Sequence, residues 1–270
     1  MHNIHTVCED TPSALEVFWD LFYRQLAIFE KSFALDAFIF YCEQGMLNDY
    51  LAELKRLTSS KDLPVVIMLM KNLEVYMGAW IDALVLDSLN RPMEVGTSQM
   101  DHKSAEKWGI TYVDEEGRER YPPIVHAGFG VERYLAAMLE YAARRQKTTL
   151  PTWISPTQVR IIPVAKTYKL LAQKIADKLE HAQVRVDIDD RTESVSKRIR
   201  RSELEWIPYI LVVGGEEAKI EKLPVRINEE NSVRDMTLQE LIERVHEEDT
   251  DTPFLQLPLP KCLSKRASFV

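Results

Sequence analysis

The stretch 122–145, PPIVHAGFGVERYLAAMLEYAARR, constrains the fold more than any other. A short apolar run at Ile124 and Val125 leads into a glycine-broken turn, HAGFGV. Glu132 and Arg133 then open a long helix with apolar residues at Leu135, Met138, Leu139 and Ala142. Gly128 and Gly130 let a ligand approach the backbone, and Arg133 places a planar guanidinium at the helix start, suited to stacking or to a phosphate. Taken alone, the GxGxER spacing suits an ordinary strand–turn–helix with a surface arginine equally well.

The segments before this stretch read as helices on a largely antiparallel sheet. Asp10-Thr11-Pro12 has the form of a helix cap followed by proline in the first turn. Leu15, Phe18, Trp19, Phe22, Leu26 and Phe29 then recur at helical spacing, a stripe meant for a core. Strands are expected over 37–41 and 65–70, with a helix over 47–57 between them that ends in the polar run 58–62. Two further strands, 75–86 and 92–100, are joined at SLNR as an antiparallel hairpin.

After a polar linker at 144–149 the rhythm changes. Strands are expected over 159–164, 184–188, 207–213 and 223–227, and helices over 168–179, 195–205 and 236–245. Strands alternating with helices imply right-handed crossovers and a mixed, mostly parallel sheet. The fold class is therefore α/β with an α+β first domain. Its divisions are 1–147, 148–250 and a proline-rich tail, 251–270, extended and packed back on the protein.

Composition restricts partners and compartment. The 270 residues carry a formal net charge of −8, so a nucleic acid must find a local basic patch against the mean field. Lys197, Arg198, Arg200 and Arg201 form such a cluster on one expected helix. Arg191 stands near them at a strand end, where open α/β sheets bind ligands. Cys8, Cys42 and Cys262 are far apart and lack CxxC spacing, which points to reduced thiols in a cytoplasmic protein. No signal peptide is read at the start, and no apolar run approaches membrane-spanning length, so no membrane partner is expected.

Several segments, in order, resemble the threonyl-tRNA synthetases of archaeal type, members of the class II aminoacyl-tRNA synthetases. They are GTSQMD, ITYVDEEGRERYPPIVH, LPTWISPTQVRIIPV, VDIDDRTESVSKRIRRSELEWIPYILVVG and PLPKCLSKRASF; the stretch 122–145 is similar to motif 3 of that class. The resemblance implies ATP-dependent (Mg2+-assisted) attachment of threonine to its tRNA. It gives Arg133 the role of stacking on adenine and touching the triphosphate, over Gly128 and Gly130. Gln99 would contact threonine, and His5 and His126 would be two of three zinc ligands. For the second domain it implies a tRNA partner, with Thr192, Arg200, Glu217 and Arg226 reading anticodon bases and Lys197 in the surrounding basic surface.

Departures from the family pattern matter as much. The loop from His126 to Arg133 is two residues shorter than usual, Gly130 replaces a serine, Met77 replaces a tyrosine, and Thr192 stands where asparagine is frequent. Motif 1, the motif 2 arginine and the cysteine ligand of zinc have no counterpart in these residues. Two expectations follow. In one, the chain is enzymatic, either the C-terminal part of a ligase whose front end lies on another polypeptide or a fragment of a longer gene product, with a second chain or a dimer among the expected partners. In the other, it is a non-catalytic tRNA-binding paralogue.

Overall fold

In a computed structural model that describes residues 2–71, 77–145, 147–215, 222–249 and 253–267, the chain divides into two compact units, 1–141 and 142–270. In the first unit, β1 (His2–Val7), α1 (Thr11–Glu30), β2 (Ala37–Glu43), α2 (Leu47–Lys61) and β3 (Val65–Met70) are followed by β4 (Met77–Leu86) and β5 (Pro92–Asp101). Then come α3 (Ser104–Trp108), the short β6 (Tyr112–Val113) and β7 (Glu119–Arg120), β8 (Ile124–Phe129) and α4 (Val131–Arg144). Six strands make one sheet in the order β1-β8-β5-β4-β2-β3, antiparallel except where β3 runs parallel to β2.

Strand periodicity divides this sheet into a dry face and an open one. Phe40, Ile81, Ser98, Ala127 and Ile4 are successive cross-strand partners, and Phe40, Ile81, Ser98 and Ala127 are buried. Phe18, Phe22, Leu26 and Phe29 of α1 are buried with them. Tyr50 of α2 meets Phe18 and Phe40, and Tyr134 of α4 meets Phe29 and Phe129, through aromatic contacts. Gly96 is what lets α1 lie so close to β5. A Cβ there would stand 2.5 Å from the Phe29 ring and 2.8 Å from Gln25 Oε1.

Helix starts follow the cap chemistry. Asp10 Oδ1 accepts from Ser13 N–H at 2.9 Å, and Ser13 Oγ accepts from Asp10 N–H at 3.2 Å, a reciprocal box with Pro12 just inside the helix.

Three expectations are corrected in this unit. Helix α2 runs through the polar stretch to Lys61, because the Thr58 and Ser60 hydroxyls bond back to the Leu54 and Leu57 carbonyls. Asp62, at φ 52°, then closes it. Strand β8 continues through Phe129, with Gly128 paired to both Asn3 and Thr97, so HAGF is strand rather than turn. The buried face of α4 holds Tyr134, Ala137 and Met138, while Leu135 and Leu139 are exposed. At the far edge, four successive residues of β3, Val66 to Leu69, are exposed. Residues 75 and 76 of the expected strand 75–86 lie outside the described residues.

The second unit is layered. β9 (Val159–Pro163), α5 (Lys169–His181), β10 (Val186–Ile188), α6 (Val195–Leu204), β11 (Tyr209–Val213), β12 (Lys222–Ile227), β13 (Ser232–Thr237) and α7 (Leu238–Glu248) follow in turn. The sheet order is β10-β9-β11-β12-β13. Both pairs to β9 are parallel, and β11–β12 and β12–β13 are antiparallel, giving a mixed sheet. Val159, Ile161, Tyr209 and Leu211 share a core with Ala172, Ile175 and Leu179 of α5 and Leu241 and Val245 of α7. Ile162 and Ile210 point the other way, toward Val195 and Ile199 of α6.

Strand β13 is not signalled by its sequence, since SVRDMT has only three apolar or β-branched positions and they do not alternate with the adjacent charges Arg234 and Asp235. It pushes the last helix back to Leu238, where Thr237 and Glu240 form a capping box. The tail packs back on the sheet edge: Ile188 N–H donates to Lys261 O at 2.9 Å, and Lys261 Nζ bonds Asp177 and Glu180.

Candidate active-site cleft and nucleic-acid interface

Register alone assembles the first site. His5 pairs with His126, His126 with Gln99, Gln99 with Trp80 and Trp80 with Tyr41, one residue from each of five adjacent strands, all on the open face. Side chains at directly opposed positions of antiparallel strands lie within contact distance. The Nδ1 atoms of His5 and His126 are 2.5 Å apart, and the Trp80 and Tyr41 rings stack at 4.4 Å. Around His5, His126 and Gln99 the face opens into a cleft of about 560 Å³, lined also by Thr97, Gly128, Gly130 and Arg133. Residues that are far apart in the sequence thus meet on one surface.

Arg133 reaches this cleft from the first turn of α4. Its Nη1 lies 3.2 Å from Glu94 Oε2, an ion pair at the surface. Gly130 needs no special backbone, since the only positive-φ glycines among the described residues are Gly109 and Gly117. A Cβ at Gly130 would meet the stem of Arg133 at 3.7 Å, ordinary contact. A serine at that position would be accommodated without strain. The two glycines therefore thin the floor of the cleft instead of turning the chain.

The other ring nitrogen of His126, Nε2, faces Asp101 Oδ2 at 3.3 Å. Burial opposes ionisation of Asp101, but hydrogen bonds from Ser104, the Lys103 N–H and His126 outweigh it and hold the carboxyl below its usual range. A carboxylate behind an imidazole is the arrangement that orients metal-ligating histidines. Yet two imidazoles are half of a tetrahedral set. Among the described residues no third His, Cys, Asp or Glu joins them in a group that could hold a metal. The three cysteines are all buried.

One acidic group in this face was not read from the sequence. Asp82, paired in register with Thr97, is buried, and its carboxyl is pushed up to about 6, chiefly by desolvation. Its signal was the alternation Trp80-x-Asp82, which puts Asp82 on the same face of β4 as Trp80, the partner of Gln99.

The second site lies at the carboxyl ends of the parallel strands. A cleft of about 450 Å³ is bounded by Pro163 at the end of β9 and Val164 after it, by Asp190 to Ser194 after β10, and by Arg198 of α6. Thr192 is exposed there. The basic cluster is not one solvated face. Lys197 and Arg201 both bind Glu193, at 3.0 and 2.9 Å, and Arg191 grips Asp189. Arg198 points inward and is 4% exposed. Arg200 is exposed with no ion pair among the described residues, and Arg226 on β12 lies 3.5 Å from Glu203 on α6. Arg200 and Arg226 therefore flank one helix face. Glu217 lies outside the described residues.

Beneath α6, Arg160 is 2% exposed and grips Asp187 with Nε at 2.8 Å and Nη2 at 2.9 Å, and it also binds Glu205. Arg266 of the tail reaches the same Asp187 at 3.1 Å.

Comparison with known proteins agrees with both halves. Residues 30–142 match the family model of the tRNA synthetase class II core domain (G, H, P, S and T), and residues 158–248 match that of the anticodon binding domain. The chain is 38% identical over 278 residues to the threonine–tRNA ligase of Thermofilum pendens, aligning 100% of this chain with 45% of that protein. It is 42% identical over 225 residues to that of Pyrobaculum calidifontis, aligning 81% of this chain with 36% of it. It thus spans less than half the length of these relatives.

Among solved structures, the RNA binding domain of threonyl-tRNA synthetase from Cryptosporidium parvum superposes with a TM-score of 0.71 at 23% identity, covering 94% of this chain and 64% of that one. Prolyl-tRNA synthetase from the same organism gives 0.70 at 17% identity, covering 92% and 48%. At those identities the likeness speaks for the fold. With a class II core and an anticodon-binding domain in order, and identity to threonine–tRNA ligases along its whole length, the chain belongs to the threonyl-tRNA synthetase family of class II aminoacyl-tRNA synthetases.

Proposed function

We propose that this chain is the part of a threonine–tRNA ligase that carries one wall of the aminoacylation cleft and the anticodon reader. The observation that supports it best is the register row His5–His126–Gln99 beside Arg133, which gathers the residues expected to meet threonine and ATP in one cleft. In this reading Gln99 hydrogen-bonds the amino acid. Arg133 leaves Glu94 to stack on adenine and offset triphosphate charge, and Gly128 and Gly130 let the nucleotide lie against the strand. Mg2+ would accompany the ATP. Zinc would be held weakly, through His5 and His126.

The functional division proposed is a catalytic-type domain over 1–147, an anticodon-binding domain over 148–250 and the tail. Residues 1–147 supply neither a motif 1 dimer interface nor a motif 2 arginine for the α-phosphate. Adenylate formation therefore requires those elements from the remainder of the ligase or from a partner chain. The test is threonine-dependent pyrophosphate exchange by the 270-residue chain freed of host synthetase. No exchange above a no-enzyme control is expected, and measurable exchange would overturn this reading of the cleft.

In the second domain Thr192, Arg200, Glu217 and Arg226 read unpaired bases, since guanidinium forks and carboxylates match base edges that loops leave open. Arg200→Ala should cost roughly 1–3 kcal/mol for the cognate anticodon loop and little for a scrambled one. Equal, weak binding of both loops by both proteins would instead leave the basic helix a packing surface. The alternative, a non-catalytic tRNA-binding paralogue, is favoured by one observation: among the described residues no third ligand joins His5 and His126. The two separate on whether exchange appears once the remainder of a related ligase is supplied.

A further inference from the structure

The guanidinium of Arg198 lacks a counter-ion. It is 4% exposed, its Nη1 donates to the Asp189 carbonyl at 2.7 Å, and its Nε meets no acceptor. Neighbouring carboxylates are committed elsewhere. Asp189 is gripped by Arg191, Glu193 by Lys197 and Arg201, and Asp190 by Lys169 and the Ser264 hydroxyl. No carboxylate lies within ion-pair distance of Arg198 among the described residues. A buried charge without a partner is costly, and it persists where something else supplies the opposite charge.

What Arg198 faces is the cleft at the ends of β9 and β10. Lys166 stands on its rim, exposed and without an ion pair among the described residues, and Lys169 lines the same space. Ser194 caps α6 there, so the positive end of that ten-residue helix points at the opening. A buried arginine, two lysines and a helix start converging on a pocket of nucleotide size form a cup for a phosphate.

We propose that this cup seats one backbone phosphate of the bound RNA loop, with Arg198 as its buried anchor and Lys166 as the lysine that closes over it. The inference rests on the anticodon-reading proposal and adds to it. It splits the basic cluster into Arg198 and Lys166, which hold the chain of the RNA without regard to sequence, and Arg200 and Arg226, which read it. Lys197 and Arg201, occupied by Glu193, are left out of the contact.

The test is titration of the full chain with the threonine anticodon stem-loop and with a scrambled-loop hairpin, at several salt concentrations, for wild type, Arg198→Gln and Lys166→Gln. Both variants should bind both hairpins about tenfold more weakly. The slope of log affinity on log salt should flatten by about 0.7, the share of one single-strand phosphate. Lys166 is on the surface, so its variant stays informative if Arg198→Gln fails to fold.

Wild-type affinity and slope in Lys166→Gln and in a folded Arg198→Gln would overturn the cup while leaving anticodon reading intact. A loss confined to the cognate loop would overturn it too, by making Arg198 a base reader. If wild type binds neither hairpin, the anticodon proposal fails instead. Inorganic phosphate, followed by NMR at the Arg198 Nε–H, then decides the cup alone: a saturable shift supports it and none refutes it.

Discussion

Arg160 and Asp187 meet through both guanidinium and both carboxylate positions, at 2.8 and 2.9 Å, on adjacent parallel strands beneath α6. The pair is enclosed, so removing one member strands the other. Asp187→Ala should lower the stability of the second unit by about 3–5 kcal/mol, while Arg160→Met with Asp187→Leu should cost less, because the only charges then left without a partner among the described residues, Glu205 and Arg266, are not fully buried. Hydrogen exchange at the β9, β10 and β11 amides reads this unit separately from the first.

Asp82 should make the first unit pH-sensitive in an unusual direction. Its carboxyl sits at about 6 in the fold against an ordinary 3.8, so the folded state holds the proton more tightly. The penalty is absent below about pH 4, grows as pH rises, and is complete above about pH 6, where it amounts to about 3 kcal/mol. Chemical denaturation should show Asp82→Asn more stable than wild type near pH 7.5 and equal to it near pH 4. Equal midpoints at both values would contradict the shift.

The histidine pair predicts a metal result. Neutral imidazoles bind zinc without the anionic thiolate of a fuller set, so occupancy should need high metal and neutral-to-alkaline pH. After dialysis against a chelator, elemental analysis should find far less than one zinc per chain. Stoichiometric metal would show that a further residue completes the site.

Much of this was legible in the residues. The stripe of α1, the cap at Asp10, the hairpin β4–β5 and the alternation after 151 depend on local periodicity, and the sequence carries that directly. What the sequence hid was pairing. Nothing near His5 says that it will stand opposite His126, or that Gln99 completes the row, because register is decided by strands far apart in the chain. Burial was hidden for the same reason. Arg198 and Arg200 read as equals on a helix, and only the sheet beneath α6 makes one an inward anchor and the other an exposed group. Leu135 and Leu139 continue the helical apolar spacing yet are exposed, because Tyr134 and Ala137 turn the other side of α4 toward the aromatic core.

Strand β3 carries a prediction about handling. Val66, Ile67, Met68 and Leu69 are exposed on an edge strand without a single charge, a template for pairing with another chain. Isolated as these 270 residues, the protein should self-associate as its concentration rises. Met68→Lys should raise the concentration at which light scattering first departs from a monomer without altering the circular dichroism. Unchanged scattering in the variant would point to another surface.

The pairing of β1 with β8 also sets an order of events during synthesis. His5 leaves the ribosome before its place in the sheet exists, since His126 follows it by 121 positions. Closing so long a loop is slow, since its entropy must be met before any contact is gained. Until then α1, β2 and the β4–β5 hairpin can form with their neighbours, while β1 waits unpaired beside them. The wall that gathers histidine, histidine and glutamine is thus among the latest parts of the first unit to take shape, and a nascent chain paused before Phe129 would hold a nearly finished sheet with no cleft.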